Sequence, residues 1–109
     1  MNEPVPKYRF ELLLPMAFND GAPVPPETIF AVQSVLIDQF GGCRMLPTSP
    51  FLGWWREREQ VYEDWTILYI ADADRTEENL TWFRQYKETL KETFQQLEIY
   101  LTVTEILWL

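Results

Sequence analysis

The chain has no histidine and only one cysteine. Without histidine it lacks the commonest metal ligand and the commonest general base, and every His-dependent catalytic triad is excluded. A zinc site is therefore not expected, and neither is any other metal or cofactor. With Cys43 alone no intrachain disulfide can form, and no imidazole is present to activate the thiol, so Cys43 reads as a small core residue. Basic residues are also scarce: nine Lys and Arg stand against seventeen Asp and Glu, a formal net charge of -8. Nucleic-acid backbones and anionic membrane surfaces both call for clustered cations, so neither is an expected partner. No apolar run is long enough to cross a bilayer, and the N-terminus lacks the basic-then-apolar layout of a secretion signal. A reducing cytoplasm is the expected compartment.

Aromatic and aliphatic residues, in contrast, are plentiful. Hydrophobic residues make up 47% of the 109, with five Trp, five Tyr and seven Phe. That is enough for one packed core, and the length fits a single domain over residues 1–109. A small domain has much surface for its volume, so some of these rings are expected near it, at a partner, a self-interface or a ligand pocket.

The organising stretch is Phe40 to Ile70. Before it, Met1 to Pro6 holds two prolines and little to bury, and reads as a flexible end. Lys7 to Leu14 alternates as a strand, with Tyr8, Phe10, Leu12 and Leu14 on one face. Asn19-Asp20-Gly21 and Pro23, Pro25 and Pro26 mark a stiff loop. Pro26 suits a first helical turn, and Ile29, Val32, Leu36 and Phe40 recur at helical spacing up to Gly41-Gly42. The double glycine closes a helix instead of opening one, which removes it as a phosphate loop. Cys43 to Leu46 is extended, Pro47 and Pro50 interrupt it, and Phe51 to Trp55 resumes the strand. Arg56 to Gln60 is the expected hairpin turn, and Val61 to Ile70 a central strand. Asp74 with Glu77 resembles a capping box for a second helix carrying Leu80, Phe83, Leu90 and Phe94. Glu98 to Leu109 is the last strand, apolar to its end.

The order strand, helix, strand, strand, helix, strand is that of an α+β, ferredoxin-like βαββαβ fold: a four-stranded antiparallel sheet with two helices on one face. Helices on one side leave the other side bare, and both strand faces carry apolar residues. A homodimer packed sheet face to sheet face is the expected cover. The helix-ending Phe40-Gly41-Gly42, then Gly53 with Trp54 or Trp55, a charged turn and Glu63 leading a strand resemble a loose set of small uncharacterised bacterial proteins. The resemblance implies a ferredoxin-like or dimeric α+β barrel-like design and no particular activity.

The candidate sites are few. Glu63 shares a strand face with Trp65, and in an apolar setting its carboxylate could serve as acid or base. The simpler reading of Glu57, Glu59, Glu63 and Asp64 is a solvated hairpin partly neutralised by Arg56 and Arg58. Trp54 and Trp55 must face opposite ways, so one ring points out of the core towards a pocket or a dimer seam. Arg44 could pair with Glu63 or hold an anion. Asp20, Asp72 and Asp74 fit no cation-binding loop. Two functions follow. One is a self-associating module that binds a protein or small-molecule ligand without catalysis. The other is a small cofactor-free enzyme, of isomerase or oxygenase type, with an apolar pocket around Glu63.

Overall fold

The computed structural model describes residues 3–109, and of residues 47–53, 55, 57 and 64 the backbone alone. Six elements follow one another: β1 (Val5–Pro15), α1 (Pro26–Phe40), β2 (Arg44–Glu57), β3 (Gln60–Asp74), α2 (Glu77–Thr93) and β4 (Tyr100–Trp108). The strands form one antiparallel sheet in the order β2-β3-β1-β4, the ferredoxin-like arrangement that the element order implies.

Both helices cover the same face. Phe10, Leu12 and Leu14 of β1 and Ile67, Tyr69, Ala71 and Ala73 of β3 are buried against Ile29, Val32 and Leu36 of α1 and Phe83 and Leu90 of α2. Phe83 stacks on Phe10 with ring centroids 3.7 Å apart and on Phe40 at 5.1 Å. The buried Tyr69 hydroxyl donates to the Ile29 carbonyl at 2.9 Å, tying β3 to α1. α1 begins at Pro26, whose missing N–H would have no helical partner there, and stops at Gly41, whose φ of 83° is the left-handed cap and whose N–H reaches the Ile37 carbonyl.

Three expectations are corrected. Strand β1 begins at Val5, inside the stretch expected to be loose: Val5 lies opposite Trp108 and Pro6 opposite Leu107. The last pair between β1 and β3 is Lys7 with Asp74, so Pro6 lies where one side of β1 has no ladder to fill, a place a strand proline tolerates. Helix α2 is capped by Thr76, not Asp74: the Thr76 hydroxyl accepts the Asn79 N–H at 3.2 Å. Asp74 is drawn into the end of β3 by its pairing with Lys7, and its carbonyl accepts from Thr76 and Asn79. The hairpin turn is shorter than expected, because Glu57 pairs with Gln60 and only Arg58 and Glu59 lie between, with Arg58 at a φ of 57°.

The proline-marked interruption of β2 is a bulge. Leu46 faces Leu68 and Phe51 faces Thr66, so residues 47–50 stand opposite Ile67 alone. Beyond the bulge β2 and β3 continue as a two-stranded ribbon, because β1 pairs with β3 only as far as Thr66. The Cα radius of gyration is 15.1 Å, against roughly 13 Å for a compact chain of this length.

Candidate functional site

The face of the sheet away from the helices carries the odd-numbered residues of β1 and the even-numbered residues of β3 and β4. Across it runs one apolar row. Leu46 of β2 is opposite Leu68 of β3, Leu68 opposite Leu13 of β1, and Leu13 opposite Tyr100 of β4. All four strands thus contribute one apolar residue at the same level. At the ends of the row Leu46 is 43% exposed and Tyr100 60% exposed, while Leu13 and Leu68 are half-buried.

Further along the same face the chemistry changes from apolar to charged. Asp72 lies directly opposite Arg9, which donates from Nε at 2.8 Å and from its terminal nitrogen at 3.0 Å, a two-pronged pair. The Trp108 indole N–H donates to the same carboxylate at 3.0 Å. The Arg9 guanidinium, joined by the indole and by Arg44, holds the Asp72 carboxyl below its ordinary value against the opposing effect of burial; its side chain is only 8% exposed. Lys7 bridges to Asp74 at 2.7 Å and stands 4.2 Å from the centre of the Trp108 ring. Arg44 approaches Asp72 to 3.7 Å with 64% of its side chain exposed.

Arg44, Asp72 and Trp108 close one side of a cleft of about 210 Å³, and Phe40, Gly41, Gly42 and Cys43 close the other. The α1 cap delivers this second wall: Gly41 turns the chain out of the helix, and Cys43 tucks back against the core. Burial pushes the Cys43 thiol up, which keeps it protonated and a poor nucleophile.

The expected site residues do not converge. Arg44 pairs with Ile70 and Glu63 with Trp54, seven β3 positions apart, or about 23 Å along the strand. Glu63 is exposed, on the two-stranded ribbon, and lines neither the cleft at Arg44 nor the open one at the β2–β3 turn. Trp54 lies across from Glu63 and is 65% exposed. The Trp55 side chain lies outside the described residues, as do those of Glu57 and Asp64. Asp20 is used within its own loop, accepting the Ala22 N–H at 2.9 Å, and Asp72 and Asp74 are each engaged by a basic neighbour. Among the described residues no group of carboxylates or sulfur is placed to share a metal ion. No helix there is long and apolar enough to cross a membrane.

Sequence reasoning weighed Asp72 only as a cation ligand, missed its pairing with Arg9 and did not single out Trp108. The signal was present in the alternation of Lys7 to Leu14, which puts Arg9 on the face opposite Phe10, but it needed β3 to continue past Ile70 to bring Asp72 alongside.

No protein-family model matches the chain, and no curated sequence matches it. Solved structures do resemble it. A phage SAM lyase, in complex with S-methyl-5'-thioadenosine, superposes with a TM-score of 0.68 at 13% identity, over 94% of this chain and 87% of the lyase. A divalent cation tolerance protein from Thermus thermophilus superposes with a TM-score of 0.64 at 15% identity, over 92% of this chain and 84% of that protein. At such identities the likeness shows a shared α+β fold.

Proposed function

We propose that the chain is a self-associating module whose uncovered sheet face docks on the same face of a second copy. The observation that carries this is the row Leu46–Leu68–Leu13–Tyr100, apolar on every strand and left bare by both helices. An apolar stripe through the middle of a sheet face, with charged residues to one side, has the layout of an interface core and its polar rim. It is suited to meeting itself about a two-fold axis, where one patch serves both partners.

The test is light scattering on the wild-type chain and on a Leu46→Glu, Tyr100→Glu variant. Both positions are exposed, so the monomer fold should tolerate the changes. The wild type is expected at twice the 13.0 kDa chain mass and the variant at the single-chain mass. A wild type that stays monomeric at tens of micromolar, well above the dissociation constant of a stable specific complex, contradicts the reading. So does a variant that remains dimeric.

A further inference from the structure

We propose that the cleft between the α1–β2 connection and the end of β4 binds a small oxyanion, a carboxylate or phosphate group, carried on an apolar body. Four observations converge on it. The first is a cation with spare capacity. Asp72 already receives two bonds from Arg9 and one from the Trp108 indole, so Arg44 meets it only at 3.7 Å and keeps most of its guanidinium in the open. A guanidinium so placed can offer paired N–H donors to a second oxyanion.

The second is the local charge. Lys7, Arg9 and Arg44 stand against Asp72, Asp74 and Glu11, which lies on the same face across Ile70 from Arg44, so this corner is neutral in a chain of net charge -8. The third is the apolar wall, where Phe40 and Trp108 line the same cleft as Arg44. The fourth is room. A side chain started at Gly41 or Gly42 would meet nothing within 4 Å. The cleft is about 210 Å³, below the ~300–1,000 Å³ of sites for drug-sized ligands, so the occupant must be small.

Arg44 lies two residues from Leu46 on the same sheet face, at the rim of the proposed interface. The test is a titration of the 15N-labelled full chain with benzoate, phenyl phosphate and inorganic phosphate, following the Trp108 indole N–H, which a Trp108→Phe variant assigns. It is run on the wild type and on the Leu46→Glu, Tyr100→Glu variant, which separates its failure from that of self-association. Benzoate or phenyl phosphate is expected to shift that resonance, and whichever binds more tightly identifies carboxylate or phosphate as the preferred group. Inorganic phosphate is expected to bind more weakly than phenyl phosphate. Arg44→Gln should weaken the better probe at least about tenfold, the loss of one charge-assisted hydrogen bond. Gly42→Leu should block the cleft while preserving the amide spectrum, since φ at Gly42 is ordinary and its surroundings are open. If neither aromatic probe moves the Trp108 resonance, the proposal is overturned. Binding that is indifferent to Arg44→Gln overturns it whether or not the Gly42 variant folds, and inorganic phosphate binding as well as phenyl phosphate removes the apolar body from it.

Discussion

Two side chains anchor the sheet chemically, and each makes stability depend on pH in its own direction. Asp72 is held ionised by Arg9 and the Trp108 indole, so its carboxyl titrates lower in the folded chain than in the unfolded one. A depressed folded pKa contributes stability that is present above the unfolded value, about 3.9, and is lost as pH falls through the folded value. Asp72→Asn should therefore cost about 1–3 kcal/mol near neutral pH, and the gap from wild type should narrow as urea melts are taken to more acid pH. A constant gap across that range would mean that the Arg9 pair contributes little. Tyr69 behaves oppositely. Burial pushes its hydroxyl up to about 12, and the same holds for Tyr86. The neutral forms are favoured on folding, so their contribution is intact below the unfolded value of about 10 and is lost as pH rises towards the folded one. Tyr69→Phe should lose about 1 kcal/mol with its bond to the Ile29 carbonyl and show a shallower alkaline decline in thermal melts. Asp72 and Arg9 were hard to pair from residue types alone, because their meeting depends on register, which no local propensity encodes.

At the level of elements, helix α1 is legible from Pro26 to Gly41 because every local signal agrees: a proline at the first turn, a periodic apolar stripe, and a glycine that alone adopts the left-handed cap easily. The start of α2 is less legible because three acceptors crowd it, namely Asp72, Asp74 and Thr76. The strand claims the two aspartates through Arg9 and Lys7, and Thr76 is left to cap. The consequence is measurable by urea unfolding at neutral pH. Thr76→Ala should cost about 1 kcal/mol, the usual loss for an N-cap hydroxyl, while Asp74→Ala, which removes an exposed surface pair, should cost less. The reverse ranking would place the cap on Asp74 after all. In β2 the prolines announce an interruption, and the bulge absorbs it. Nothing in the residues announces that Arg58 and Glu59 alone make the turn, since neither is a residue that turns favour.

For the molecule as a whole, one sheet face lies under two helices and the other carries a four-residue apolar row with a charged corner beside it. The fold was legible because element order, alternation and helical periodicity all imply the same topology. The candidate site was legible only in part. Arg44 lies in the cleft, whereas Glu63 and Trp54 lie together on the protruding ribbon, because the β2 bulge sets which β2 residue meets which β3 residue. The most direct measurement of the central reading is an isotope-filtered NOE experiment on a mixture of labelled and unlabelled chains. Contacts are expected between the Leu13, Leu46 and Leu68 methyls of one copy and the Tyr100 ring or the same leucines of the other. Intermolecular contacts confined to α1 or α2, or none at concentrations where the chain is dimeric, would contradict docking through the open sheet face.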